Sequence, residues 1–182
     1  MKTKARSGGF TFLELAAVIA IIGILLAVAL NRLLPYIDEA ERVGVLTLES
    51  QIRSTLMTAA AKRIAGGRSA SIAEFDGNNP MQLMLTTPSN YVGEFRGSEA
   101  ASVPRRKWFF NLDTRRLVYR RGRPFGSATE TRSDEDTEFA VRVVFEDRDG
   151  DGLFEPGVDE LWGVNLERVH GATWLAESGA AR

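Results

Sequence analysis

The stretch Gly9-Phe10-Thr11-Phe12-Leu13-Glu14, with the apolar run that follows it to Leu30, decides the fold of this chain. From residue 10 to residue 30 it would form a helix of about 21 residues, roughly 31 Å long, which matches the hydrocarbon thickness of a bilayer. Positive charge directly before an apolar helix is typical of a cytoplasmic flank. The chain carries that charge on Lys2, Lys4 and Arg6. The sequence therefore predicts one membrane span that starts in the cytoplasm.

Glu14 interrupts this apolar helix near its start. A carboxylate in hydrocarbon costs several kcal/mol unless it finds a partner, so its presence indicates a function. The alternative is a plain single-pass anchor, in which the Glu14 side chain extends to the nearby interface. Both interpretations agree on the span and differ on the partner.

The position of the small residues separates this segment from an ordinary secretory signal. Such a signal has its small-residue cleavage site after the apolar core, whereas here Gly8 and Gly9 come before it. The segment resembles the class III signal of type IV pilins and of the pseudopilins of type II secretion, over Gly9 to about Leu30. The resemblance is carried by the basic leader and by Gly9, Phe10, Thr11, Leu13 and Glu14. Phe12 departs mildly, because relatives more often have an aliphatic residue there.

The resemblance implies how the segment is processed and what it binds. A prepilin peptidase would cut between Gly9 and Phe10 on the cytoplasmic side and then methylate the new amino terminus on Phe10. Glu14 would meet the terminal amine of a neighbouring subunit during filament assembly, and buried charges require such pairing. The implied partners are the peptidase, other subunits through the N-terminal helix, and an inner-membrane assembly platform.

Composition limits the other classes of function. The chain has 182 residues and a net charge of −1, and loss of the three basic leader residues lowers that charge by three, to −4. We therefore do not expect nucleic acid as a partner. The absence of cysteine excludes disulfides, thiolate metal sites and cysteine nucleophiles. Hydrophobic residues make up 44% of the chain, which is ordinary for a folded protein.

The helix continues beyond the span as an amphipathic segment. Apolar residues recur at spacings of three and four, as in a helix that packs on a core. They are Val45, Leu48, Ile52, Leu56 and Ala59. Gly66-Gly67 should end the helix near Ala65. We expect a cleaved leader (1–9), a transmembrane half (10–34), an amphipathic half (35–66) and a globular head (67–182).

The head is predicted to be α+β, a small antiparallel sheet against which the long helix packs, which is a pilin-like arrangement. Residues 68–101 are mostly connecting structure, with a short helix at 81–85 that is capped by Asn79 and opened by Pro80. A hairpin is predicted from residues 107–111 and 116–120, and a second strand pair from residues 138–146 and 161–169. In the last strand Trp162, Val164 and Leu166 should share the buried face.

The loop between these last strands carries a second chemical pattern. Aspartates at alternate positions followed by glycine match the first half of an EF-hand-type calcium loop. The candidate ligands are Asp147, Asp149, Asp151, the carbonyl of Leu153, Glu155, Asp159 and Glu160. Val158 stands at the twelfth position, where an EF-hand has a bidentate glutamate, so Asp159 and Glu160 would close the site in a shifted geometry. The alternative is a solvated Asp-Gly turn over residues 147–160 without metal.

Other groups of residues favour structural roles. The arginines at 115, 116, 120, 121 and 123 form a basic cluster with Tyr119 and Phe125, which fits a solvated hairpin face better than a DNA contact. His170 is the single histidine and has no recognisable nucleophile near it in the sequence. We therefore predict no enzymatic activity and no catalytic residue.

Two functions from different classes follow. The main prediction is a minor pilin or pseudopilin, a structural subunit of a type IV pilus or type II secretion filament, held in the inner membrane with a cytoplasmic amino end and a periplasmic head. The filament itself would be periplasmic or extracellular. The missing cysteine pair and the calcium-type loop favour a pseudopilin. The alternative is a single-pass, extracytoplasmic calcium-binding sensor or hydrolase.

Overall fold

The computed structural model describes residues 11–122 and 136–176 of the chain. Its helices and strands follow in the order α1 (Phe12–Ala65), β1 (Tyr91–Phe95), α2 (Gly97–Ser102), β2 (Lys107–Asn111), β3 (Arg116–Arg120), β4 (Thr137–Glu146), β5 (Glu160–His170) and α3 (Thr173–Ala176). Two 3-10 helices precede β1, at Ser69–Phe75 and Pro80–Leu83. The chain divides into two compact units, residues 1–39 and 40–182, and the boundary lies within α1.

The first unit contains the apolar part of α1. Among the described residues, α1 is the helix that is long and apolar enough to cross a membrane, with a mean hydropathy of 2.8 over its candidate window. None of that window is buried within the protein. Such a surface is compatible with lipid or with apolar helices of other subunits.

Helix α1 ends where the glycine pair predicted. Gly67 has a φ of 67°. Its N–H donates to the carbonyl of Ile64 at 3.0 Å, and the N–H of Arg68 donates to the carbonyl of Arg63 at 2.9 Å. These two bonds are those of the Schellman motif, which satisfies the last carbonyls of a helix. The prediction that the helix stops at Ala65 is confirmed.

The second unit contains a five-stranded sheet in the order β1-β2-β3-β4-β5. The three pairs from β2 to β5 are antiparallel, as predicted, and the β2–β3 hairpin has the predicted bounds. Strand β1 lies in the segment that we expected to be connecting structure, and it pairs with β2 in parallel. The α+β class is confirmed, but the sheet is only mostly antiparallel.

The core lies between α1 and one face of this sheet. Val45, Leu48, Ile52 and Leu56 of α1 are buried as predicted, and Ala60 continues the buried row where Ala59 was expected. They belong to one cluster with Trp108, Phe110, Leu117, Tyr119, Phe139, Val141 and Leu166. A smaller cluster contains Phe109 and Val118 of the central strands with Ala100 and Val103 at and just beyond α2. Both sheet faces are therefore covered near β2 and β3.

Strand β5 contains an irregularity that corrects one assignment. Val144 pairs with Gly163 but Phe145 pairs with Leu161, so Trp162 is the extra residue of a β-bulge. Leu161 then packs against the core, while Trp162 is 67% exposed. Val164 and Leu166 are buried as predicted, but the prediction that Trp162 shares their face was wrong.

Candidate functional site

The processing residues Gly9 and Phe10 lie outside the described residues, so their roles remain predictions. Thr11 is the first described residue and lies directly before α1. Glu14 is in the first turn of α1 and is exposed. Its N–H donates to the Thr11 hydroxyl oxygen, Oγ1, at 3.2 Å. The pairing of Glu14 with a neighbouring amine also remains a prediction.

The acidic loop between β4 and β5 brings three of the predicted ligands together. One carboxylate oxygen from each of Asp147, Asp149 and Asp151 lies within 4.8 Å of the others. This is the one such group of candidate metal ligands in the part of the chain that the structure describes. Calcium binds six to eight oxygens at about 2.3 to 2.6 Å, so oxygens at these separations can belong to one coordination shell.

Backbone hydrogen bonds curl the loop around Asp147. The Asp147 carboxylate accepts the N–H of Gly150 at 2.7 Å and the N–H of Gly152 at 2.9 Å. Both glycines have left-handed backbones, with φ of 79° and 76°, which explains glycine at these two positions. These N–H bonds, that from Gly150 first, hold the pKa of Asp147 below its ordinary value. The carboxylate retains lone pairs for a cation because it has about four acceptor sites.

The surroundings of the neighbouring carboxylate, Asp149, raise its pKa. The N–H of Asp151 lowers its pKa, but desolvation, the charge of Asp151 and the bond to Asp147 together raise it, and the net shift is upward. A raised pKa means that the ionised form is disfavoured. A cation in the loop would relieve this repulsion.

The other predicted ligands have different surroundings. Asp159 is buried and its carboxylate accepts the N–H of Arg148 at 3.0 Å and the N–H of Glu155 at 2.7 Å, so it braces the base of the loop. Glu160 forms an ion pair with Arg148 at 2.5 Å. Glu155 and Leu153 are exposed. The structure thus assembles three of the predicted ligands and gives Asp159 and Glu160 other partners.

A buried charge cluster in the head was missed by the sequence analysis. Glu49 of α1 is 1% exposed, and its two carboxylate oxygens accept hydrogen bonds from Arg168 of β5 at 2.7 and 2.6 Å. Arg53, one turn along α1, also pairs with Glu49 at 2.7 Å and donates to the carbonyl of Leu166. The helical pattern alone puts Glu49 and Arg53 at solvated positions. Alternation from Val164 and Leu166 puts Arg168 on the inner face, and that was the available signal.

Glu41 forms a second cluster in the head. Its carboxylate accepts hydrogen bonds from the Tyr119 hydroxyl at 3.0 Å, from Arg106 at 2.9 Å and from the N–H of Gly122 at 2.6 Å. Burial first, and then the charge of Glu41, raise the pKa of the Tyr119 phenol. The cluster links α1 to β3 and to the segments next to β2 and β3.

The described arginines of the basic cluster contact other residues of the same chain. Arg116 pairs with Glu138 at 2.5 Å and Arg120 with Asp136 at 3.1 Å. Arg120 also donates to three carbonyls at and after the end of α2, and Arg115 donates to the carbonyl of Gly77. Arg121 lies 4.5 Å from the centre of the Trp174 ring. Arg123 and Phe125 lie outside the described residues. The contacts of the described arginines fit a structural role.

Comparison with known proteins identifies the N-terminal segment. Residues 4–30 match the family described as the prokaryotic N-terminal methylation motif. The chain is similar to the type IV narrow pilus major component PilA5 of Thermus thermophilus, with 43% identity over 61 residues. This similarity covers 32% of the chain and 53% of that protein, so the chain spans about half the length of the curated relative. No solved structure matches the chain.

These findings confirm the predicted resemblance. The chain carries an N-terminal methylation motif and a candidate membrane-spanning helix, and part of it is similar to a type IV pilus component. Its long helix and mostly antiparallel sheet agree with the α+β, pilin-like fold class.

Proposed function

We propose that the protein is a structural subunit, a minor pilin or a pseudopilin, of a type IV pilus or type II secretion filament. In this proposal the subunit is anchored in the inner membrane before assembly, with its head in the periplasm. A prepilin peptidase cuts between Gly9 and Phe10 and methylates Phe10. The methylation motif over residues 4–30 carries the proposal. The similarity to a pilus component favours a pilus, whereas the calcium-type loop favours a pseudopilin.

The exposed apolar surface of α1 supports assembly through this helix. Its candidate span is unburied in the single chain, and side chains such as Ile24 and Leu25 are more than half exposed. Lipid can cover this surface in the membrane, but only other apolar helices can cover it in a filament that leaves the membrane. The head presents no comparable helix among its described residues.

Processing can be tested with one variant and a matched control. Gly9→Val should leave the leader attached in cells that contain an active prepilin peptidase, because the enzyme must accommodate the residue before the cut bond. Gly23→Ala is the control, since a Cβ at Gly23 meets nothing within 4 Å in the chain. Mass spectrometry of the purified proteins should show loss of residues 1–9 and gain of one methyl group in the control only. Removal of the leader from both variants, or from neither, contradicts the proposal.

We also propose that the 147–160 loop binds calcium through Asp147, Asp149 and Asp151, with the Leu153 carbonyl, Glu155 and water as further oxygen ligands. In this arrangement Asp159 braces the loop and Glu160 pairs with Arg148. The close approach of the three carboxylates supports the proposal, as does the raised pKa of Asp149. Carboxylate and carbonyl oxygens are the ligands that calcium prefers.

Calcium binding should appear as a gain in stability. Extracellular calcium modules bind at about 10⁻⁴ to 10⁻³ M. At any such Kd, a calcium concentration of about 100 times Kd stabilises the folded state by about 2.7 kcal/mol. We expect the full chain in detergent to melt several degrees higher in calcium than in chelator, and Asp149→Asn to lose most of this difference. Glu99→Gln, at an exposed position of helix α2, should keep it. Equal melting of the wild type in calcium and in chelator refutes the metal site.

The alternative function, a membrane-tethered sensor or hydrolase, predicts a different outcome. Such a protein needs only an anchor, so it should remain functional as an unprocessed single molecule. Cross-linking in membranes, with cysteines introduced into α1, distinguishes the two: a subunit cross-links to other copies or to other pilins after processing, and an anchored sensor does not require processing.

A further inference from the structure

Strand β5 forms one outer edge of the sheet. The strand order runs from β1 to β5, so β5 pairs with β4 on one side only. It has 11 residues, whereas β1 at the opposite edge has five. An edge strand presents unpaired N–H and C=O groups, to which a strand of another chain can bond. The β5 edge is therefore the longer of the two that are open to such pairing.

Two hydrogen bonds of β4 show which residues of β5 face this edge. The carbonyl of Val141 accepts the N–H of Gly77 at 2.9 Å, and the N–H of Val143 donates to the Asp76 carboxylate, Oδ1, at 3.4 Å. These two residues of β4 thus use their backbone groups away from β5. In an antiparallel pair, opposite residues either exchange both backbone bonds with each other or direct them to the outer sides. Val141 and Val143 are of the second kind.

Their partners in β5 face outward for the same reason. Val141 lies opposite Leu166 and Val143 lies opposite Val164, with no register shift between the two pairs. The N–H and C=O groups of Leu166 and Val164 therefore point to the outer edge.

The Leu166 carbonyl is already bound by a side chain of α1. Arg53 donates to it from Nε at 3.3 Å and from Nη2 at 3.0 Å. The same Nη2 atom lies 2.7 Å from the carboxylate of Glu49, which is 1% exposed, so the guanidinium is held in place at the edge. Charged side chains at an edge strand are one way in which proteins prevent strands from pairing edge to edge.

We propose that Arg53 blocks the outer edge of β5 against pairing with β5 of a second copy of the chain. An incoming strand needs the Leu166 carbonyl as an acceptor, and Arg53 occupies this acceptor. Antiparallel pairing of the two strands at Leu166 would also bring the Arg53 side chains of both copies together. Like charges at such a contact are destabilising.

The sequence around Leu166 is compatible with self-pairing, which is why this edge needs a block. With Leu166 opposite Leu166 of the second copy, Asn165 of one copy lies opposite Glu167 of the other. Both residues are exposed. The asparagine amide can donate to the carboxylate, and no two carboxylates lie directly opposite each other at these positions.

The block has a consequence for assembly, and this consequence rests on the proposed function. Two identical strands that pair antiparallel are related by a two-fold axis, and such a contact closes on itself. A filament instead needs a head-to-tail contact that repeats. A pair joined through β5 would therefore withdraw two subunits from assembly, and Arg53 prevents this.

A cysteine at Asn165 reports the pairing, because the chain has no cysteine of its own. In the register above, the two Asn165 positions are diagonal neighbours about 7 to 8 Å apart, within reach of a short bismaleimide cross-linker. The full chain in detergent micelles is treated with the cross-linker, and the dimer is measured on a denaturing gel. Glu99→Cys, at an exposed position of α2, reports non-specific association.

In the Asn165→Cys protein, Arg53→Met should increase the dimer about tenfold, since loss of a hydrogen bond to a charged group shifts an equilibrium by about that factor. Arg53→Lys keeps the positive charge and a donor, so it should stay at the parent level. Arg148→Met is the matched control, because Arg148 is exposed and pairs with the side chain of Glu160. We expect it to leave the dimer unchanged.

The head should remain folded in Arg53→Met, because Glu49 keeps its bonds from Arg168 at 2.7 and 2.6 Å. Thermal unfolding checks this. If the methionine variant is unfolded at the temperature of cross-linking, Arg53→Gln takes its place with the same expected increase.

Three results overturn the block: no more dimer in the Arg53 variant than in the parent, the same increase in Arg148→Met, or an equal increase with the Glu99→Cys reporter. None of them depends on removal of the leader. The mass-spectrometric test of processing therefore still decides the proposed function when the block fails, and the cross-linking still decides the block when the proposed function fails.

Discussion

Replacing Glu49 with leucine is the most informative test of how α1 is held on the sheet. The substitution places an apolar side chain of similar size in a position that is 1% exposed. It removes both bonds to Arg168 and the bond to Arg53. The two guanidinium groups then face an apolar side chain without their carboxylate.

The magnitude follows from how far the two arginines can recover water. Removing one partner of a buried ion pair costs about 3 to 5 kcal/mol. The side chains of Arg168 and Arg53 are 32% and 41% exposed, so both are partly hydrated already. The lower end of the range applies, and we expect a loss of about 3 kcal/mol in the free energy of unfolding. For a domain of about 150 residues this lowers Tm by about 9 °C.

The assay is thermal unfolding of the full chain in detergent, followed by fluorescence of the buried residues Trp108 and Trp174. Glu167→Leu is the control, because Glu167 is exposed and lies 3.8 Å from its partner Arg142. We expect it to change stability by less than about 0.5 kcal/mol. Arg168→Met added to Glu49→Leu should restore part of the loss, since an apolar pair can replace a buried ion pair. A Glu49→Leu protein as stable as wild type, or a double variant no better than the single one, refutes the reasoning.

Three further substitutions test separate features of the head. Gly67→Ala should cost about 1 kcal/mol by chemical denaturation, because φ is 67° while a Cβ there meets no atom within 4 Å; no loss would contradict the left-handed helix end. Tyr119→Phe should flatten the fall in stability above pH 10, because the raised pKa keeps the folded phenol neutral while the unfolded phenol, with its ordinary pKa of 10.0, ionises; unfolding curves between about pH 9 and about pH 11 measure this. Trp162→Ser should leave Tm within about 2 °C of wild type, because the side chain is largely exposed, and a large drop would contradict the bulge assignment.

Features set by neighbouring residues could be predicted from the sequence. The Gly66-Gly67 pair ends α1, and Asn79 caps the 3-10 helix at residues 80–83 by accepting the N–H of Met81 at 3.0 Å. Strands β2 and β3 have the predicted bounds because a short turn at 112–115 fixes their register. In each case the deciding interactions lie within about ten residues of one another.

Features set by distant residues could not be predicted in the same way. The burial of Glu49 depends on Arg168, which is 119 positions away. Strand β1 is short, contains Gly93 with a φ of 114°, and pairs in parallel with a strand that it reaches only through α2. The bulge at Trp162 shifts one strand by a residue relative to its partner. Tertiary pairing, not local pattern, decides these positions.

Three glutamates of α1 differ in the partners that the described residues give them. Glu49 finds two arginines in the head, and Glu41 finds Arg106 and the Tyr119 hydroxyl. Glu14 forms no ion pair with a cation among residues 11–122 and 136–176. The head thus neutralises these two carboxylates with its own arginines. Because a charge in apolar surroundings needs a partner of opposite charge, the predicted pairing of Glu14 with a terminal amine would supply for this carboxylate what the arginines supply in the head.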